Sequence, residues 1–205
     1  MTIDLPAPRP PVDLSLGDAI ARRRSERELG RSSISIENLS TLLWSAQGLT
    51  GSDGHRTVPS AAAQYPIELM LVANRVDALE PGSYRYCPGQ HVLEANSRGD
   101  LSERLCLASI DEQAWVREAA CVIVVTVDLE AMRDYFQTQP PKGLRGERYG
   151  FIETGALTQN LHLVGTALDL PMVLVGGFDD AAVAAALALA PGRQPTALVC
   201  IGGRE

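Results

Sequence analysis

The chain of 205 residues contains a single lysine, Lys142, set between Pro141 and Gly143. Pyridoxal-phosphate chemistry and a P-loop both depend on a placed lysine, and no GxxxxGK[ST] occurs, so both are disfavoured. GxGxxG is absent too, which removes the usual marker of a dinucleotide-binding crossover. Four cysteines without CxxC spacing are too sparse for a disulfide framework; Cys121 and Cys200 lie in apolar runs and read as buried small hydrophobes of a reduced cytoplasmic protein. His55, His91 and His162 are scattered with no HExxH or similar spacing, so no metal site is expected. No apolar run reaches membrane-spanning length, and the proline-rich start from Met1 to Pro11 has no apolar core of a signal peptide. Net charge is −7, which disfavours attraction to nucleic acid or anionic lipid.

Against that acidic background, positive charge is focused in one place. Residues 22 to 31 hold five arginines and two glutamates, in Arg22-Arg23-Arg24-Ser25-Glu26-Arg27 and on to Arg31. Guanidinium forks beside a hydroxyl suit a small phosphate; a solvated helix face is the alternative. A second segment, Arg56-Thr57-Val58-Pro59-Ser60-Ala61-Ala62-Ala63-Gln64-Tyr65-Pro66, has little side-chain bulk and suits the approach of a flat ring to backbone.

Ser15 can cap a first helix carrying Leu16, Ala19 and Ile20; if that helix continues, Arg23, Arg24 and Arg27 share one side of it. A second helix begins near Ser35 and stops at Gly48. Strands are expected at residues 67–72, at 83–86 and 91–94 as a hairpin, at 120–127 as the central strand, at 172–175 and at 196–201. Residues 137–146 read as a flexible loop, followed by the longest helix, roughly 148–168, with Ile152, Ala156, Leu157, Leu161 and Val164 on one stripe. Helices and strands mix without a βαβ beat, so the fold class is α+β. Trp44, Trp115, Tyr65 and Phe136 read as core packing, and Gln159 and Asn160 as makers of buried structural hydrogen bonds.

Read in order, Arg24-Ser25-Glu26-Arg27, Leu42-Leu43-Trp44-Ser45-Ala46-Gln47-Gly48, Arg56-Thr57-Val58-Pro59-Ser60-Ala61, Leu79-Glu80-Pro81-Gly82-Ser83-Tyr84-Arg85-Tyr86, Ile152-Glu153-Thr154-Gly155, Gln159-Asn160-Leu161 and Val175-Gly176-Gly177-Phe178 resemble the FMN-dependent nitroreductase superfamily. The nearest branch is similar to stand-alone relatives of the azoline dehydrogenases. The resemblance implies a mainly antiparallel central sheet flanked by helices, with residues 1–14 as a strap or disordered and 15–205 as one FMN-binding domain. It implies a homodimer with FMN shared between subunits, and hydride transfer from NAD(P)H through flavin N5 to a small electron-poor acceptor. Arg23, Arg24, Ser25 and Arg27 would hold the phosphate and ribityl chain. Pro59, Ser60, Ala61 and Ala62 would reach the ring from the partner, and Val175, Gly176 and Gly177 would lie by N5. Arg204 is the candidate for a second phosphate contact, or else a frayed tail. Lys142 and Arg145 sit in the loop expected on the substrate side.

Two departures stand out. Ala62 replaces the glycine of the family's Pro-Ser-Ala-Gly, which narrows the approach to the flavin or demands a different backbone angle. The Lys-Tyr pair that azoline dehydrogenases place ahead of Arg-Gly-x-Arg-Tyr falls on Pro141 and Lys142: the tyrosine is missing and the lysine offset, which argues against azoline oxidation. A flavin-binding or flavin-free interaction protein on the same scaffold, and a natural-product tailoring dehydrogenase, are the alternatives.

Overall fold

A computed structural model of the protein describes residues 1–11, 13–142 and 144–204. In chain order its elements are β1 (Thr2–Asp4), α1 (Leu16–Arg22), α2 (Ile36–Gln47), β2 (Ile67–Ala73), β3 (Gly82–Cys87), β4 (Val92–Arg98), α3 (Ser102–Ala108), α4 (Ala114–Glu118), β5 (Cys121–Asp128), α5 (Leu129–Tyr135), α6 (Leu144–Ala167), β6 (Met172–Val175), α7 (Asp180–Leu187) and β7 (Arg193–Ile201). The strands form one sheet in the order β1-β4-β3-β2-β5-β7-β6. Every pairing in it is antiparallel, as the sequence led us to expect.

β5 sits between β2 and β7 because its Val/Ile run can be buried on both faces. Ile123, Val125 and Val127 meet the layer of α2 and α6 through Leu39, Leu42, Leu43, Leu157 and Leu161. Val122 and Val124 face the opposite layer, with Leu105 of α3 and Val183 and Leu187 of α7. Cys121 and Cys200 are fully buried as expected, and burial pushes the Cys200 thiol up to about 12.

Side chains close the helix starts. Ser15 accepts the Asp18 N–H on α1, Ser35 the Asn38 N–H on α2, and Asp179 the Ala182 N–H on α7; each such cap is worth about 1 kcal/mol. The N-terminal residues are placed by pairing: β1 adds to the sheet edge beside β4, and the Ser40 hydroxyl donates to the Pro6 carbonyl at 2.5 Å.

One boundary moves from its expected place. α6 begins at Leu144, inside the stretch expected to be loop. Gly146 explains it: a Cβ there would stand 2.1 Å from the Met132 carbonyl oxygen, so only glycine lets α6 press this closely on α5. A glycine that reads as a loop signal is here a packing contact.

Candidate functional site

The arginine-rich segment does not continue α1. The Arg23 N–H closes the helix onto the Ala19 carbonyl, and Arg23 itself turns to φ −48, ψ 124. The chain then runs alongside β6, with the Glu26 N–H donating to the Met172 carbonyl at 2.8 Å. The helix does not continue past Arg22, and that tertiary hydrogen bond takes the place of a further turn, so Arg23, Arg24 and Arg27 do not share a helix face.

The new course sorts the donors. Arg24 folds back, its Nη1 donating to the Ala21 and Arg23 carbonyls at 2.8 Å, and so satisfies the end of α1. Arg23, Ser25 and Arg27 make no side-chain hydrogen bond or ion pair among the described residues. The half-buried Arg23 faces α6, where the His162 pKa is lowered chiefly by burial and further by the Arg23 charge. Arg27 lies over the Trp115 ring, its guanidinium carbon 5.3 Å from the ring centroid. Trp115 is only half-buried, with its indole N–H unpaired, so it is not purely the core residue its sequence context implied. Nothing local in the sequence reports this contact, since Arg27 and Trp115 lie in separate elements.

Arg204 is neither frayed nor free. Its Nη2 donates to both Glu26 carboxylate oxygens at 3.0 and 3.2 Å, and its Nε pairs with the Asp169 carboxylate at 2.9 Å. Next to it, Gly202 lies so close to the Leu29 backbone that a Cβ would stand 1.8 Å from the Leu29 oxygen. The C-terminal residues are thus packed under the arginine segment, and the Arg204 charge is already met by two carboxylates.

Beyond Met172, β6 leads to Val175, which is buried, and to Gly176, which is exposed with no heavy atom within 4 Å of the place a Cβ would occupy. The Gly177 carbonyl accepts the Ile110 N–H at 2.9 Å. Gly176 lies four residue steps of extended chain beyond Met172, roughly 13 Å. Uncommitted phosphate-type donors and an open stretch of backbone therefore lie along one strand.

Residues 59–62 sit elsewhere, on α6. The buried Glu153 carboxylate accepts the Ala61 N–H at 2.8 Å, and Asn160 donates to the Ser45 and Thr57 carbonyls at 3.2 and 3.3 Å. Asn160 thus makes the structural bonds expected of it, whereas Gln159 is exposed. Burial raises the Glu153 pKa, opposed by its bonds to Ala61 and Ser60. The Ser60 hydroxyl accepts the Tyr65 N–H at 2.7 Å, closing a turn in which Ala62, Ala63 and Tyr65 take φ of 50°, 52° and 48°. Ala62 therefore holds the left-handed backbone that a glycine would take without strain. Among the described residues, no hydrogen bond or ion pair joins 59–62 to 23–27 or to 175–177.

Lys142 is exposed and unpaired among the described residues, while Arg145 donates through Nε to the Pro140 carbonyl at 2.8 Å and so ties its own loop. No group of three or more metal-ligating side chains occurs among the described residues. Nor does any described helix have the length and apolarity to cross a membrane.

The nitroreductase family model matches residues 20–203. The chain belongs to the nitroreductase family. Its chemistry is accordingly that of a nitroreductase-type oxidoreductase. The chain is 34% identical over 168 residues to MJ1384 of Methanocaldococcus jannaschii, provisionally assigned as a nitroreductase, covering 82% of this chain and 81% of that protein. Among solved structures it is similar to a provisionally assigned nitroreductase of Ralstonia eutropha, with a TM-score of 0.80, 25% identity, and 100% and 90% of the two chains covered. A Desulfovibrio desulfuricans protein of the same provisional assignment, solved in complex with FMN, shares the fold at TM-score 0.65 and 22% identity over 93% of this chain and 87% of that one.

Proposed function

We propose that this nitroreductase-family protein is an FMN-dependent oxidoreductase that passes hydride from NAD(P)H to a small electron-poor acceptor. The observation that carries the reading is the Arg23–Arg27 segment docked on β6. There Arg23, Ser25 and Arg27 keep their donors uncommitted, and Gly176 leaves backbone open further along the same strand. The FMN complex of the Desulfovibrio relative supports the choice of cofactor.

Bound FMN would supply the hydride relay at its N5, chemistry that no side chain of this protein needs to provide. Arg23 and Ser25 would hold the phosphate with charge-assisted hydrogen bonds, and Arg27, supported by Trp115, would add positive charge farther along. Arg24 contributes by fixing the end of α1, and Arg204 by holding Glu26 in place. Val175, Gly176 and Gly177 would face N5, with a backbone N–H available to it. Pro59, Ser60, Ala61 and Ala62 are separate from these groups within one chain, which fits their delivery from the partner of a homodimer. Lys142 would meet a small or anionic acceptor, with Arg145 shaping the loop that carries it. The missing tyrosine ahead of Arg145 keeps azoline oxidation outside this reading.

Purified protein should show the visible absorbance bands of flavin and oxidise NADH or NADPH with quinone or nitroaromatic acceptors. Arg23→Ala and Arg27→Ala should each weaken FMN binding about ten- to a hundred-fold, the worth of one charge-assisted contact. Colourless protein that cannot be reconstituted with FMN, or unchanged affinity in both variants, would overturn the reading.

A further inference from the structure

A second site lies away from β6. Between the end of α2, the start of β2 and the β3–β4 turn opens a cavity of about 460 Å³, whose walls include Gln47, Arg56, Tyr65, Tyr86 and Gln90. That size is within the range of small-molecule pockets.

Charge is unevenly matched in it. Arg56, Arg85 and Arg193 line the cavity with two acids, Glu68 and Glu94. Glu68 is held by Arg85 and Arg193, each at 3.4 Å, and Glu94 pairs with Arg85. Arg56 is left over. It makes no ion pair among the described residues, and its one side-chain hydrogen bond runs from Nη1 to the Gln47 amide oxygen at 2.6 Å. One face of its guanidinium is stacked on Tyr65, 4.5 Å from the ring centroid. A guanidinium carries five N–H donors, so four remain. Arg56 is half-buried, and that burial depresses its pKa, the signature of a cation deprived of water without a counterion.

From this juxtaposition we propose that the cavity binds a small aromatic carboxylate, its carboxylate gripped by Arg56 and its flat apolar part set among Tyr65 and Tyr86. The fork of an arginine matches a carboxylate in two parallel hydrogen bonds, and the Tyr65 stack fixes the fork beforehand. Much of the desolvation and ordering of the cation is already in place in the free protein, which favours binding. The lining residues all belong to one chain.

The test is a titration of the full-length purified protein with benzoate, followed by nitrogen-15 NMR and by the visible spectrum of any bound flavin. Saturable shifts should centre on the Arg56 Nε–H and the amides of Tyr65, Tyr86 and Gln90, with flavin bands unmoved. Arg56→Gln should weaken binding roughly tenfold or more, and Arg56→Lys, which keeps the charge but not the fork, by less. Absence of saturable shifts in the wild-type protein would overturn the proposal. So would shifts centred on residues 175–177 with altered flavin bands, or benzoate binding unchanged in either folded Arg56 variant. The wild-type map decides even if Arg56→Gln does not fold.

Discussion

A methyl group separates Ala62 from the glycine that its relatives are expected to carry, and the backbone shows what that methyl group does. At φ 50°, ψ 29° the residue sits in the left-handed region, where a Cβ crowds the following carbonyl at a cost of roughly 1–2 kcal/mol. The turn keeps this shape because it is held from outside, by Glu153 on the Ala61 N–H and by Ser60 on the Tyr65 N–H. Ala62→Gly should lose no stability, since relief of the strain offsets the roughly 0.4–1 kcal/mol of added freedom in the unfolded chain. A β-branched side chain has no such relief, so Ala62→Val should cost about 1–2 kcal/mol in urea unfolding. Equal losses in the two variants would mean that the turn is not left-handed in solution. The sequence shows the substitution plainly, but the angle it must adopt depends on partners as distant as Glu153. Arg27 on Trp115 is the same lesson, a contact between elements with no local spacing to announce it.

At the scale of elements, the positions of most helices and strands were legible, because hydrophobic period and caps are local. α2 runs between its Ser35 cap and Gly48 as its pattern implies, and β5 lies where its Val/Ile run does. Distant backbone decides what the local pattern leaves open or misplaces: α1 stops at Arg22 because the next segment bonds to Met172, and α6 starts early because Gly146 fits against Met132. α6 also carries the acid that fixes the 59–62 turn, a role invisible in Ile152-Glu153-Thr154-Gly155. Burial raises the Glu153 pKa above its unfolded value, so the folded chain holds that proton more tightly. Its contribution to stability is therefore complete below the unfolded pKa and is lost as pH rises through the folded one. Glu153→Gln keeps an acceptor for the Ala61 N–H but cannot ionise. Its melting temperature should rise relative to wild type as pH climbs from the ordinary carboxylate range through the raised folded pKa of Glu153. A difference independent of pH would show that Glu153 is not ionising in a desolvated site.

Strand order and the separation of the candidate site into two clusters belong to the whole molecule, and neither is written in any window of sequence. The arginine segment on β6 and the turn on α6 are each well anchored within one chain, and no hydrogen bond or ion pair among the described residues joins one to the other. A second copy would resolve this, and α6 offers a surface for it. Its outer face exposes Phe151 at 50% and Ile152 at 59%, beside Gly155, around whose Cβ position there is open space. Large apolar side chains flanking a glycine on one helix face suit close packing against a symmetric copy of the same helix. We expect the wild-type protein to scatter light as a species of about twice the 22.0 kDa chain mass. Ile152→Arg, which would bury two unpaired cations across a twofold axis, should shift it to monomer. If residues 59–62 reach the flavin from the partner, that variant should also lose most of its flavin while remaining folded by circular dichroism. A folded, fully flavin-loaded monomer would separate the two ideas: FMN would still bind to the β6 cluster, and the shared site would be wrong.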